Sequence, residues 1–244
     1  MIDLKILIVR HGDPDYEKDS LTEKGFREAE LLSEKLKKLD IKAVYCSPLG
    51  RAKATMEPTL KKMGLEATIC EWLKEFPAYV IDNETGNKRT PWDLVPSFWT
   101  KDARFYDRFD WLNTDLMQSG NVKEKYEYVT KSLDELLAKH GYAHVGNFYR
   151  VENENDDTIV FFCHFGVECV LLSHILGISP VALWHGFVAL PSSVTTLITE
   201  EREQGIAYFR CNGFGDISHM YAGDEPPAFA ARFCETYSNM EERH

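Results

Sequence analysis

The sequence predicts an α/β fold: a doubly wound, mainly parallel sheet flanked by helices, with an inserted helical cap and a late antiparallel hairpin. Three observations predict it. Short apolar runs alternate with amphipathic helical segments over the first third of the chain, the alternation breaks between about 76 and 150, and it resumes at 158 before two β-rich runs close the pattern. With 244 residues the chain suits a single domain, 1–244, that carries the 76–150 insertion as a cap.

The first strand is "LKILIV", residues 4–9, four of whose last residues are aliphatic. A helix follows over 21–39, with Ala29, Leu32, Leu36 and Leu39 at helical spacing and Thr22 placed to cap it. "KAVYCS" (42–47) is the second strand. Pro48 is expected just inside the next helix, where a missing N–H costs nothing, and that helix carries Arg51 in its first turn. "EATIC" (66–70) is a shorter strand.

The insertion holds polar turns, an aromatic-dense stretch and one clear helix, "VKEKYEYVTKSLDELLAKHG". A disordered linker would not hold three of the five tryptophans, as this segment does. The core resumes with "TIVFFC" (158–163), then a helix closed by Gly177, then "SVTTLITE" and "GIAYFRC" as a hairpin.

Composition narrows the function. Lys plus Arg number 28 against 39 Asp plus Glu, a net charge of −11, which argues against nucleic acid or an anionic membrane as partner. The N-terminal apolar run is too short for a signal peptide and no stretch approaches a membrane span, so a soluble, cytoplasmic protein is expected. The six cysteines, at 46, 70, 163, 169, 211 and 234, show no CxxC or CxxH spacing and read as buried, reduced thiols.

Two buried strands end alike: "ILIV" runs into Arg10-His11-Gly12 and "IVFFC" into His164-Phe165-Gly166. If the strands are parallel neighbours, two imidazoles meet at the carboxyl edge of the sheet, where such folds bind ligands. Each glycine lets the backbone turn tightly beside an anion. Arg51 comes to the same edge. Two His and two Arg make a positive pocket for a phosphoryl group, and a neutral His can attack phosphorus directly.

Together with "LTEKGFREA", "SPLGRAKAT", "LKEF" and "HFG" in this order, "LIVRHG" resembles the histidine phosphatase superfamily, also called phosphoglycerate mutase-like. The resemblance covers roughly residues 4–75 and 158–210. It implies phosphomonoester hydrolysis through a covalent phosphohistidine on His11, with Arg10 and Arg51 binding phosphate, His164 as the second histidine and Glu75 as proton donor. Glu71 is the alternative acid, although "LKE" fits the family pattern at Glu75. The same resemblance gives His219, in "SHM", a supporting role. His174, mid-helix, reads as packed or capping, and His185, in "LWHGF", as core or supporting.

No HExxH or HxH pair is present, the positive cluster would repel a divalent cation, and the resemblance implies metal-independent chemistry, so neither metal nor cofactor is expected. Seven aromatics fall in the 21 residues "PWDLVPSFWTKDARFYDRFDW". Most read as a local core; in the resembled family this segment overhangs the pocket, which makes Trp92, Trp99 and Tyr106 candidates to touch a bulky, partly apolar phosphate ester.

The family's mutases follow Arg-His-Gly with Glu-Ser-x-Trp-Asn and place Glu-Arg-x-Tyr-Gly at the acid. Here "RHGDPDYEKD" and "KEFPAYV" stand instead. A phosphatase is therefore preferred over a phosphoglycerate-type mutase, and over a non-catalytic phosphate-binding scaffold, which needs no complete nucleophile and acid. The partners implied are a phosphorylated small molecule and at most a second copy of the chain in a homodimer.

Overall fold

A computed structural model describes residues 3–228 and 236–239. Strand β1 (Lys5–Arg10) is buried at five of its six positions, as its aliphatic run requires, and lies at the centre of an eight-stranded sheet. The other strands are β2 (Ile41–Cys46), β3 (Ala67–Ile69), β4 (Tyr142–Val145), β5 (Phe148–Val151), β6 (Thr158–Cys163), β7 (Val194–Glu203) and β8 (Ile206–Asp216). Their order across the sheet is β3-β2-β6-β1-β7-β8-β5-β4. β3, β2, β6 and β1 run parallel, with Arg10 opposite Cys163 and Phe162 opposite Cys46. β7 and β8 form the expected antiparallel hairpin against β1. The result is a mixed sheet flanked by helices, parallel from β3 through β1 and antiparallel from β7 through β4.

Helices α1 (Glu23–Leu36), α2 (Gly50–Met63), α3 (Val122–Lys139), α4 (Phe165–Leu176), α5 (Pro180–Gly186) and α6 (Ser218–Ala222) connect and cover these strands. Thr22 caps α1, its hydroxyl accepting from the Gly25 N–H at 3.1 Å. α4 is buried on nearly every side, from Phe165 to Ser173, and Gly177 closes it in the left-handed conformation. Hydrophobic clusters fill both faces of the sheet, one around Ile6, Ile8, Phe161 and α4, the other around Leu7, Val9, Phe162 and α1.

Three sequence expectations are corrected. Pro48 lies outside α2, which begins at Gly50 after an extended Leu49. The Asp19 carboxylate accepts from the Gly50 N–H at 2.7 Å and so caps the helix from a distant loop. The cap expected over 76–150 includes a hairpin, β4–β5, whose strand β5 pairs with β8 and widens the antiparallel side of the main sheet. Its sequence is short and half polar, so a period-2 pattern could not tell a sheet edge from a surface hairpin. Finally, Cys46, Cys70, Cys163 and Cys169 are buried free thiols but Cys211, on β8, is exposed. Cys234 lies outside the described residues. Among the described residues no helix is long and apolar enough to cross a membrane.

Candidate active site

The parallel register delivers the site. β1 and β6 end side by side, and the His11 N–H donates to the Cys163 carbonyl at 3.0 Å, continuing the ladder one residue past the strand. The His11 and His164 rings therefore face each other with centroids 5.0 Å apart. Both are buried. His164 is the residue that precedes the first turn of α4, so the positive end of that helix opens onto the same point.

His11 Nδ1 lies 2.8 Å from the Gly12 carbonyl. A carbonyl can only accept, so Nδ1 carries the proton and Nε2 carries the lone pair. Burial first, and the Arg10 charge second, push the His11 pKa well below its ordinary value and keep the ring neutral. His164 is held the same way: burial first, then the nearby His11, Arg51 and Arg10, depress it strongly. Its Nε2 bonds Ser47 Oγ at 2.8 Å, while Nδ1 has no partner among the described residues.

Glycines let backbones approach closely here. A Cβ on Gly12 would lie 2.9 Å from the Gly25 carbonyl oxygen, and one on Gly166 would lie 2.6 Å from Glu75 Oε1 and 2.9 Å from the Trp92 ring. The Gly12 N–H donates to Thr55 Oγ1 at 2.9 Å, which pins the turn after His11 to α2.

The arginines arrive from two sides. Arg10 Nη1 donates to the Ala189 carbonyl at 2.5 Å, and its guanidinium sits 5.7 Å from the Phe165 ring centroid. Arg51 pairs with Asp19 at 2.7 Å and lies 5.5 Å from the Tyr16 ring centroid, its Nε buried without a partner among the described residues. Asp19 adopts a positive φ of 46° to reach it. Thus the "DPDYEKD" loop, read from the sequence only as a departure from the mutase pattern, supplies the groups that orient Arg51.

Glu75 and Glu71 separate clearly. Glu71 is exposed and paired with Lys74 at 2.5 Å. Glu75 Oε1 accepts from the Phe76 and Val167 N–H groups at 2.8 and 3.3 Å, the second at the start of α4. Burial raises its pKa; the Phe76 N–H, Arg10, Arg51 and the Val167 N–H offset part of that rise.

Sequence reasoning missed Ser47, Thr55, Asp19 and Glu168. Ser47 ends a strand beside Pro48 and had the signal of any polar residue at a carboxyl edge. Glu168 had none: it is fully enclosed, accepts from Thr195 Oγ1 at 2.6 Å, and burial pushes it up to about 7 while Thr195 and Arg10 restrain the rise. His219 bonds Ser192 Oγ at 3.1 Å, and the Ser192 N–H donates to the His11 carbonyl at 3.0 Å, so it acts on the site through the loop behind His11.

Of the cap residues, Trp92 and Trp99 line a cavity of about 290 Å³ with Leu94, Trp184, His185 and Phe187. Trp92 also touches the Gly166 turn. Trp99 stacks on His185 at 5.0 Å, and His185 is fixed as a neutral ring because Nδ1 donates to the Val181 carbonyl while Nε2 accepts from the Leu94 N–H. Tyr106 does not line the cavity; it is half exposed and packs on Trp99, 5.6 Å away.

Two buried imidazoles, two arginines and an enclosed carboxyl group at the carboxyl edge of a parallel sheet define a phosphoryl-handling class. The model of the histidine phosphatase superfamily (branch 1) matches residues 6–212, and the chain belongs to that family. An adenosylcobalamin/alpha-ribazole phosphatase of Salmonella typhi is 25% identical over 193 residues, covering 75% of this chain and 84% of that protein. A mycobacterial glucosyl-3-phosphoglycerate phosphatase superposes with a TM-score of 0.59 at 18% identity, over 87% of this chain and 99% of that one. The phosphoserine phosphatase of Entamoeba histolytica, solved with phosphoserine, gives 0.55 at 20% identity, over 89% and 99%. At these identities the structural likeness shows the fold.

Proposed function

We propose that this chain is a phosphomonoester hydrolase working through a phosphohistidine on His11. The observation that carries the reading is the hydrogen bond from His11 Nδ1–H to the Gly12 carbonyl, which leaves Nε2 unprotonated and nucleophilic inside a positive pocket. Nε2 attacks phosphorus and the bond to the ester oxygen breaks. Glu75, whose hold on a proton is strengthened by burial, gives its proton to that oxygen. Arg10, Arg51 and His164 Nδ1 donate to the equatorial oxygens, joined by N–H groups at the start of α4. In the second half the Glu75 carboxylate takes a proton from water, which attacks phosphorus and releases His11 and phosphate.

None of these steps calls on a metal or cofactor. The substrate is a small phosphorylated molecule whose organic part rests against Trp92 and Trp99; the relatives' names, with phosphoserine, glucosyl-3-phosphoglycerate and alpha-ribazole, fit that class without selecting a member.

The test is rapid quenching with a ³²P-labelled ester. An acid-labile, alkali-stable label on wild type that is absent from His11→Ala is expected. Turnover that depends on added bisphosphoglycerate would favour the mutase reading, and phosphate binding without any turnover across a panel of phosphorylated metabolites would favour the scaffold.

A further inference from the structure

The far end of α4 carries a second cluster. Asp134 on α3, His144 on β4 and His174 on α4 converge, with Asp134 Oδ2 at 3.1 Å from His144 Nδ1 and Oδ1 at 2.8 Å from His174 Nε2. The three ligand atoms lie within 4.8 Å of one another. His174 is ten residues along the helix from His164, about 15 Å away. The cluster is thus separate from the phosphoryl pocket.

We propose that Asp134, His144 and His174 bind one zinc-class divalent cation. Four ligands about 2.0–2.1 Å from a tetrahedral ion stand about 3.3 Å apart, slightly more than the two present bonds to Asp134 and inside the 4.8 Å limit that holds all three ligand atoms. Two neutral imidazoles and one carboxylate are a borderline donor set suited to such an ion and not to a hard cation with all-oxygen ligands. The rings are inclined at 75° with centroids 4.6 Å apart, so their nitrogens turn toward a common point instead of stacking.

The surroundings favour an ion over a simple hydrogen-bonded triad. The Tyr149 ring stacks on His144 at 4.9 Å and fixes its plane, yet its own buried hydroxyl has no hydrogen-bond partner among the described residues. A cavity of about 280 Å³ opens on the two histidines, lined also by Arg108, Tyr126, Asn147 and Ser173, and gives room for a water or an anion as fourth ligand. Binding balances without redox change: the cation replaces the two N–H protons now shared with Asp134, and neutral imidazole is kept as protons move to His144 Nε2 and His174 Nδ1. The ion would tie α3, β4 and α4 together, stabilising the helix whose other end carries the phosphate site.

Titration of the full-length protein, stripped of metal, with Co²⁺ tests this. One Co²⁺ per chain is expected, with visible d–d bands of a tetrahedral site, no thiolate charge-transfer band, and displacement by Zn²⁺. His174→Gln keeps an N–H for Asp134 and should fold; it should lose the bands and weaken binding roughly hundredfold or more, beyond the cost of losing an outer partner. His11→Ala should keep them. Zn²⁺ at about a hundred times its Kd should raise the wild-type melting temperature by about 5–10 °C and leave His174→Gln unmoved, with phosphatase turnover the same in both. Bands that survive His174→Gln, vanish in His11→Ala, carry thiolate absorption or never appear would overturn the proposal.

Discussion

The sheet-edge pocket and the aromatic cap are neighbours built on opposite principles. In the pocket, His11, Ser47 and His164 each follow directly on a strand end, and backbone bonds between adjacent strands set their positions: the His11 N–H reaches the Cys163 carbonyl and the Ser47 N–H the Phe162 carbonyl. In the cap, Trp92, Trp99 and Tyr106 ride on turns and one-turn helices, such as Pro96–Trp99 and Ala103–Tyr106; ring-on-ring packing holds Trp99 and Tyr106, and Trp92 Nε1–H donates to the Phe76 carbonyl. The difference teaches where chemistry and selectivity can reside. A strand end cannot shift without breaking the sheet, whereas a short helix can be rebuilt at small cost.

Substitutions at the two regions should therefore break different quantities. The largest effect belongs to the pocket: His11→Ala should lower kcat on a generic aryl phosphate by on the order of 10⁴-fold or more, measured with circular dichroism unchanged. Next, Glu75→Gln should cost about 10²–10⁴-fold on an alkyl phosphate and far less on an aryl phosphate, whose departing oxygen needs no proton. Equal losses on both esters would remove Glu75 from the donor's place.

The pH profile follows from the same groups. His11 is depressed, so the nucleophile stays free until pH falls through that lowered pKa, and the acid limb should lie well below the ordinary histidine range. Glu75 is raised, so its proton persists above the usual carboxyl range and alkyl-ester turnover should fall as pH rises through its pKa. Glu75→Gln should erase that alkaline limb and leave the acid limb in place.

Gly166→Ala probes the seam between the regions. Its Cβ would collide with Glu75 Oε1 and the Trp92 ring, so a loss of about 1–3 kcal/mol in stability is expected by thermal melting, with kcat reduced as well. The smallest effect is the cap's own: Trp99→Ala should raise KM for a bulky aromatic ester by about 2–12-fold, the equivalent of one aromatic contact, and leave a small ester unaffected. An equal change on both esters would move the leaving group away from the 290 Å³ cavity.

Much of the pocket was legible in the chain because the local sequence does the positioning. "ILIVRHG" and "IVFFCHFG" each encode a buried strand, its end and the glycine turn, so Arg10, His11 and His164 could be placed together once the strands were taken as parallel neighbours. Arg51 followed from its helix start, and "LKEF" put Glu75 ahead of Glu71. The cap was legible only as an aromatic excess, since no short-range rule orients a ring on a loop: Trp92 and Trp99 reach the cavity and Tyr106 does not.

By itself the sequence determined the α/β alternation, the strand ends that carry the two histidines and the excess of acidic charge, because hydrophobic periodicity, turn chemistry and composition are local properties of a chain. Tertiary structure alone decided that Asp19 orients Arg51 and caps α2, that β4 and β5 extend the main sheet, and that Asp134, His144 and His174 meet. Those contacts join residues up to 58 positions apart, as Tyr149 and Ala207 are, and a pairing at such separation is fixed by how layers pack, which no window of sequence records.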